Sequence, residues 1–499
     1  MAEEFLEIEE QKEDNLSVGA KGGAVAVITK TSSMALGFLN QIILAKILGA
    51  GGLGEVFLAL SVVNLSAQFA RFGMEEAMMR FIPSYIEKKD NAKLKGTIYF
   101  VLKFCFLLSI VFIFIVILFS KFISINIFHS DGLLKLLPIV AVAIPASVIR
   151  GVIGGILKGY RDIFKALLPE LLISPFFRIV IFLLLTLQGV STLHAIVAFI
   201  IGEVLAVFLS IIFLVKKLNK IKPVRKQYEN KKVLGVAYTM IFASFGAYLY
   251  TQADLWILGM FRSTEEVGIY GVAAKLVTLI LFSMAAFATI IPPLVSKIHT
   301  SGNRDELSKV VSGSTRWVLS IAIPITLILL FEGKFILKYF FGEIFVNGYI
   351  PLVILSIGQI IKAGTGLVGY ILQMTGQHKT FLKITISGGI SNIILNILLV
   401  PYFGMLGAAI ATTFCFTMVN IICVLVIYKR LTVLTLAKGL KFDVIFMAVV
   451  GILYFLFNYN NFYLGYHILL IGALIVYVWK LIANDDLPWR LLLTKYKSG

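Results

Sequence analysis

The chain has 499 residues, of which 59% are hydrophobic and 14% charged, against about 25% charged in a soluble domain. Its formal net charge is +18, but the basic residues fall mainly in short loops between apolar runs. There they set membrane topology rather than mark a nucleic-acid surface.

The first 21 residues, opening MAEEFLEIEEQKEDN, are acidic. They lack the basic n-region and apolar h-region of a cleaved signal peptide and are expected to form a cytoplasmic segment. Apolar runs of about 20 residues then recur along almost the whole length, each long enough for a transmembrane helix. Fourteen spans are predicted, at 22–48, 54–83, 97–120, 133–157, 164–187, 191–215, 233–260, 267–297, 311–331, 349–374, 382–401, 405–428, 440–458 and 462–481, with a cytoplasmic tail at 482–499. The fold class is all-α, an integral membrane protein. No polar stretch is long enough for a soluble domain; the longest, KKLNKIKPVRKQYENKK at 216–232, holds eight Lys/Arg.

The loops alternate in charge. One set carries Lys88, Lys89, Lys93 and Lys95, then Lys158, Arg161 and Lys165, the 216–232 linker, Lys297, Arg304 and Lys309, Lys379 and Lys383, and Lys429, Arg430 and Lys438. The other carries Lys121, Lys135, Arg262, Lys334 and Lys338 alone. The positive-inside rule makes the rich side cytoplasmic. Both termini are then expected on the cytoplasmic side of the cell membrane, as an even number of spans requires.

The linker 216–232 divides the chain into six-helix halves, 22–215 and 233–428, with the helices of 440–481 outside the repeat. At an offset of 214, Asn40 aligns with Asp254, Leu44 with Leu258, Gly54 with Gly268 and Ala59 with Ala273. GYRDIF at 159–164 resembles GQHKTF at 376–381. Halves of six helices enter the membrane in the same orientation, as parallel repeats do, and two such lobes are expected to enclose a central substrate cavity.

Charges inside spans are costly and mark protein or water-facing surfaces. On the second span, Asn64, Gln68, Arg71 and Glu75 share one face. Arg71 with Glu75 and Glu76 with Arg80 are i,i+4 pairs, and Glu75, Glu76 and Arg80 are expected to brace the helix near the inner gate. Arg80 also lies near enough to the cytoplasmic end to snorkel. The first span aligns Lys30, Ser33, Gly37 and Asn40; the seventh aligns Ser244, Ala247, Thr251 and Asp254. The embedded cations are Lys30, Arg71, Arg80, Arg150, Arg178, Lys275 and Lys362; the acids are Glu75, Glu76, Glu170, Glu203 and Asp254. The small cationic surplus suits an anionic headgroup, because Arg and Lys bind phosphate by charge-assisted hydrogen bonds. Lys30, Arg71, Arg150, Lys362, Asn40 and Asp254 are the candidate substrate residues, with a helix-end anchor as the other reading of Asp254. Cys105, Cys415 and Cys423 lie in apolar segments and read as small buried hydrophobes. The five histidines show no ligand spacing, so no metal site and no cofactor are expected.

The run DLWILGMFRSTEEVGIYGVAAKL at 254–276 resembles a hallmark of the polysaccharide-biosynthesis, O-antigen-type, flippases: Asp254, Gly259, then Gly268, Tyr270 and Ala273. LAKILGAGGLGEVFLALSVV at 44–63 and FGMEEAMMRFIP, with Gly73, Arg80 and Phe81, resemble the segments at the matching positions of the first half. The resemblance covers essentially the whole chain. It implies a MATE-like, two-lobed transporter of the multidrug, oligosaccharidyl-lipid and polysaccharide exporter superfamily. Such a protein moves a polyprenyl-linked sugar across the cytoplasmic membrane by alternating access, with cavity cations on the lipid-linked phosphate. Lys30, Arg71, Arg150 and Lys362 would take that role. Glu75 and Glu76 depart from the smaller or apolar residues usual there, which leaves open whether Arg71 is free or salt-bridged. The expected partners are the lipid-linked sugar, the bilayer and glycan-assembly enzymes, with no nucleic acid; the expected state is a monomer.

Two alternatives stand beside this reading. A cation-coupled drug exporter of the MATE type needs an acidic ion site, for which Glu170 and Glu203 are candidates. A membrane glycan polymerase or glycosyltransferase needs a sizeable outer loop or a catalytic domain. The longest outer loops, 121–132 and 332–348, hold few paired carboxylates. The protein is therefore expected not to be an enzyme.

Overall fold

The computed structural model describes residues 2–221, 224–288, 291–437, 440–459 and 463–483. Lys222, Pro223 and Lys438, and the expected tail from 484 onward, lie outside the described residues, as do the side chains of 2–28.

Among the described residues the regular structure is all helical. The helices are α1 (Ala2–Arg71), α2 (Met74–Glu87), α3 (Asn91–Leu118), α4 (Asp131–Ala141), α5 (Ile144–Gly159), α6 (Ile163–Leu168), α7 (Ser174–Thr186), α8 (Thr192–Leu218), α9 (Asn230–Phe261) and α10 (Thr264–Val277). There follow α11 (Phe282–Phe287), α12 (Ile291–Thr300), α13 (Arg304–Phe331), α14 (Gly333–Ile336), α15 (Tyr349–Thr365), α16 (Val368–Met374), α17 (His378–Phe403), α18 (Met405–Leu431), α19 (Leu440–Tyr459) and α20 (Tyr463–Ala483). By length and composition, eight described helices can cross a membrane, or ten if each of two bent pairs makes one crossing. That tally stands below the fourteen spans read from sequence. Part of the difference is α1, which runs through the first expected span and into the second. Its backbone departs from helical angles at Gly49 alone, with φ 68° and ψ −176°, a conformation that glycine adopts without a Cβ penalty.

Several expected spans are broken. The second ends its first part at Arg71 and restarts at Met74, after Gly73 in the left-handed conformation with φ 69°. The fourth bends by 51° between α4 and α5. The fifth carries a π-helical turn, Pro169–Ile173. The eighth is divided among α10, α11 and α12, and the tenth breaks at Gly366.

Two compact units divide the chain, Met1–Gly271 and Val272–Gly499. The first therefore takes in α9 and the start of α10, beyond the linker at which the sequence suggested a division. Its core includes Leu53, Leu58, Met74, Met78 and Ile82, all fully buried. Glycines set its closest helix contacts. A Cβ on Gly54 would lie 1.7 Å from the Thr264 carbonyl oxygen, and one on Gly268 would lie 2.0 Å from that of Ala50. Both steps are the sequence offset of 214, so the contact is reciprocal: each repeat glycine receives the backbone of its counterpart's helix. On α5, Gly151, Gly155 and Gly159 form a stripe that admits α2. A Cβ at Gly155 would meet the Glu75 carbonyl oxygen at 2.4 Å, and one at Gly159 would meet Ile82 Cβ at 2.8 Å. Small residues at this spacing let membrane helices approach closely.

In the second unit, α13, α19 and α20 are tied by a buried cluster. Arg316 pairs with Asp443, and Lys480 Nζ lies 3.4 Å from the same carboxylate. Thr315 donates to the Thr435 carbonyl at 2.7 Å, and Asn420 with Thr365 links α18 to α15 at 3.3 Å. The three cysteines are buried free thiols.

Candidate functional site

The first unit gathers seven of its charged side chains into two linked clusters. In the first, Arg71 ends α1, Glu75 sits in the first turn of α2 and Lys158 in the last turn of α5. Arg71 Nη1 donates to Glu75 Oε2 at 3.3 Å, and Arg71 Nη2 donates to Gln68 Oε1 at 2.8 Å. Lys158 Nζ donates to the other carboxylate oxygen, Glu75 Oε1, at 2.9 Å. One carboxylate thus serves two cations. The missing side chain of Gly151 makes room, since a Cβ there would lie 2.8 Å from Arg71 Nη1. All three side chains stay 20–27% exposed, so the cluster is accessible rather than sealed.

The second cluster centres on Glu203 of α8, whose side chain is 1% exposed. It accepts from Arg150 Nε at 3.0 Å, Arg178 Nη2 at 2.5 Å, Ser147 Oγ at 2.9 Å and Ser174 Oγ at 2.8 Å. Arg178 also lies 4.2 Å from the centre of the Phe199 ring, a cation–π contact. Arg150 Nη1 lies 2.9 Å from Glu170 Oε2, and the Glu170 side chain is 47% exposed. Glu170 stands on the π-helical turn Pro169–Ile173, a distortion that often marks functional positions. Arg71 and Lys158 lie within electrostatic reach of Glu170, which joins the two clusters. Together they hold four cations (Arg71, Lys158, Arg150, Arg178) and three carboxylates (Glu75, Glu170, Glu203), a surplus of one positive charge.

The structure revises several expectations. Arg71 is salt-bridged, as the acidic pair beside it left open. The expected pair of Glu76 with Arg80 is not formed: Glu76 instead accepts from Ser244 Oγ of α9 at 2.7 Å, and Arg80 makes no ion pair among the described residues. Asp254 is a clamp between helices. It receives the Tyr270 hydroxyl at 2.6 Å and the Leu255 N–H at 2.9 Å, so two residues of the 254–276 hallmark bond to each other. Glu203 meets two guanidiniums and Glu170 meets one, so neither candidate ion-coupling carboxylate is unpaired. Lys30 and Asn40 are half-buried, and Lys30 makes no ion pair among the described residues. Lys275 is exposed.

Lys362, in the second unit, makes no ion pair among the described residues. It lies 5.2 Å from the centre of the Phe416 ring. Lys158 is the cation that sequence reasoning assigned only to a loop. The signal that could have found it was the G-x-x-x-G-x-x-x-G stripe at 151, 155 and 159, which presses α5 against the start of α2 and brings position 158 to Glu75.

The family model for polysaccharide biosynthesis proteins matches residues 20–299, over half of the chain. The MatE family model matches residues 239–398. A probable low-salt glycan biosynthesis flippase, Agl15 of Haloferax volcanii, is 30% identical over 177 residues, covering 35% of this chain and 37% of its own. The match thus spans little more than a third of that relative. An uncharacterised membrane protein of Methanocaldococcus jannaschii is 24% identical over 398 residues, covering 76% of this chain and 78% of its own. Among solved structures, the lipid II flippase MurJ in an inward closed conformation superposes with a TM-score of 0.71 at 18% identity, over 93% of this chain and 99% of that one. An inward-facing MATE family multidrug resistance transporter gives 0.62 at 15% identity, over 81% and 98%. These likenesses establish the fold, a multi-pass helical membrane architecture of the MurJ and MATE kind.

Proposed function

The chain belongs to the polysaccharide biosynthesis protein family, and from that premise we propose that it flips a polyprenyl-(pyro)phosphate-linked oligosaccharide across the cytoplasmic membrane by alternating access. The observation that carries the reading is the Arg71–Glu75–Lys158 cluster. It offers two accessible cations, held by one shared carboxylate, inside the helices of a membrane protein.

In this reading the phosphate of the lipid-linked sugar takes the place of Glu75 on Arg71 and Lys158, while the prenyl tail stays in lipid. Arg150 is a positioning residue. Its guanidinium is held by Glu203 and turned towards Glu170, at the exposed rim of the same charge field. Lys30 and Asn40 are further candidate substrate residues in the first unit, and Lys362 is one in the second. The halves 22–215 and 233–428 act as repeats, a relation that the reciprocal contact of Gly54 with Gly268 supports, and the Lys-rich loops and both termini face the cytoplasm. The protein performs no chemistry on its cargo. The paired state of Glu170 and Glu203 weighs against the ion-coupled drug exporter.

The test is a flipping assay in proteoliposomes with a fluorescent polyprenyl-pyrophosphate-sugar. A membrane-impermeant reagent reads the sugar on the far side, and organic cations are run in parallel vesicles. Protein-dependent appearance of sugar is expected, with strong loss in Arg71→Ala and Arg150→Ala at normal protein levels. Cation transport under an ion gradient with no movement of lipid-linked sugar would overturn the reading.

A further inference from the structure

With Glu76 turned to Ser244, Arg80 lines a cleft where the C-terminal end of α2 meets the N-terminal ends of α3 and α9. Arg80, Ser84 and Lys88 are spaced i, i+4, i+8, so they form one stripe of α2 along the cleft. On the neighbouring stripe, the Phe81 and Tyr85 rings stack with centroids 5.9 Å apart. The facing wall comes from Asp90 and Lys93 beside α3 and from Glu229 and Lys232 beside α9.

Both carboxylates of the cleft are engaged within it. Asp90 accepts the Lys93 backbone N–H at 3.0 Å and lies 3.4 Å from its ammonium. Glu229 accepts the Tyr85 hydroxyl at 2.8 Å and lies 3.3 Å from Lys93 Nζ and 3.5 Å from Lys232 Nζ. Four cations therefore face two carboxylates. The surplus falls on Arg80 and Lys88, both exposed, and neither makes an ion pair among the described residues.

We propose that this cleft binds a phosphate-bearing anion, supplied either by the headgroup of an acidic phospholipid or by a soluble phosphate species. A guanidinium and an ammonium on one stripe, with a serine hydroxyl between them, are three donors that suit phosphate oxygens. The surplus of two positive charges matches a phosphate monoester, which carries about −1.5 to −2 at neutral pH. The helix ends around the cleft lie on the Lys-rich side of the chain, and basic pockets between transmembrane helices on that side take lipid headgroups. The site is separate from the Arg71–Glu75–Lys158 cluster and does not depend on what cargo that cluster handles.

The experiment uses the purified full-length protein in neutral detergent, with its thermal midpoint followed by tryptophan fluorescence. It is titrated with dioctanoyl phosphatidic acid, dioctanoyl phosphatidylcholine and inorganic phosphate. A saturable upward shift with phosphatidic acid, absent with phosphatidylcholine, is expected. Arg80→Gln/Lys88→Gln should need about tenfold more anion for the half-maximal shift, the loss of charged hydrogen bonds being that large or larger. The charge-preserving Arg80→Lys/Lys88→Arg should keep the shift, and so should Arg71→Gln. A shift with phosphatidic acid alone assigns the ligand as a lipid headgroup. An equal shift with inorganic phosphate, lost in the double glutamine variant, assigns a soluble species to the same cleft. A shift that the double glutamine variant retains in full, one that Arg71→Gln abolishes, or no shift with either anion overturns the proposal.

Discussion

Glu203→Gln separates two readings of the most buried carboxylate among the described residues of the first unit, its side chain 1% exposed. The substitution keeps the shape of the side chain and removes its charge. Four donors converge on the native carboxylate, from Arg150, Arg178, Ser147 and Ser174. An amide offers one acceptor oxygen and places an NH2 against donors on its other side. Breaking a buried ion pair by neutralising one partner costs about 3–5 kcal/mol. Arg150 keeps Glu170 at 2.9 Å and Arg178 keeps the Phe199 face at 4.2 Å, so the lower end, about 3 kcal/mol, is expected. The assay is the fraction of monodisperse protein that survives a series of heating steps, read by size-exclusion fluorescence. Removing one of the stranded cations as well, in Glu203→Gln/Arg178→Gln, should recover part of the loss, because residues in one network couple energetically. A Glu203→Gln protein as heat-resistant as the wild type, whose transport no longer responds to an ion gradient, would refute the structural role. It would make Glu203 the coupling carboxylate of an ion-driven exporter.

The glycine contact and the basic cleft supply further expectations. Gly54→Ala and Gly268→Ala should each cost about 1–3 kcal/mol or more, since overpacking is destabilising and the obstructing atoms are backbone carbonyls that cannot rotate away. The two losses should be similar because the contact is reciprocal. Gly37→Ala, where a Cβ meets nothing within 4 Å, is the control and should keep its thermal midpoint. Glu229 has its carboxyl held below the ordinary value of 4.5 by the Tyr85 hydroxyl first and by Lys93 and Lys232 after it. A lowered folded value means its contribution is complete above the unfolded value and lost as pH falls through the folded one. Glu229→Gln should therefore lower stability slightly at pH 7, by about 0.2–1 kcal/mol for a solvent-screened pair, and the difference should shrink as pH falls past 4.5 and close below the lowered folded value.

What the sequence disclosed and what it withheld follow from the range of each interaction. Apolar runs, loop charge and the offset of 214 are local or periodic, and they identified an all-helical membrane chain with repeat glycines. The contact between Gly54 and Gly268 is the same periodicity made spatial. Charges inside spans were also visible one by one, but their partners were not. Arg150 and Glu203 lie 53 residues apart, Arg178 and Glu203 25, and Glu75 and Lys158 83. Nothing in helical spacing can choose among such partners. The one pairing inferred from i,i+4 spacing that failed, Glu76 with Arg80, lost to a tertiary acceptor–donor contact with Ser244. Such a pair is worth only about 0.2–0.5 kcal/mol on a helix surface, too little to hold Glu76 against another partner.

The shared carboxylate of Glu75 bears on how a cation site can both bind and release an anion inside a membrane. A bare cation at the bilayer centre costs roughly 2.5–3.5 kcal/mol on insertion scales, and whatever part of that cost Arg71 and Lys158 meet is lowered by a counter-ion. Glu75 supplies one to both, at 3.3 Å and 2.9 Å. Under the proposed function, anion binding at this cluster is an exchange, and its affinity is the difference between phosphate and carboxylate on the same two cations. A phosphate wins by charge and by its additional acceptor oxygens. In that proposal the returning carboxylate lowers the cost of two exposed cations when the cargo leaves, so release would be assisted rather than opposed. Glu75→Gln takes away the competitor and the assistance together. The half-saturating concentration of a polyprenyl-pyrophosphate-sugar should fall several-fold, and the maximal flipping rate should fall with it, because ground-state binding that is too tight lowers turnover. Flipping kinetics across a range of substrate densities in the vesicle membrane measure both. A variant with weaker binding and an unchanged maximal rate would show that Glu75 holds Arg71 in place for the cargo instead of standing in for it.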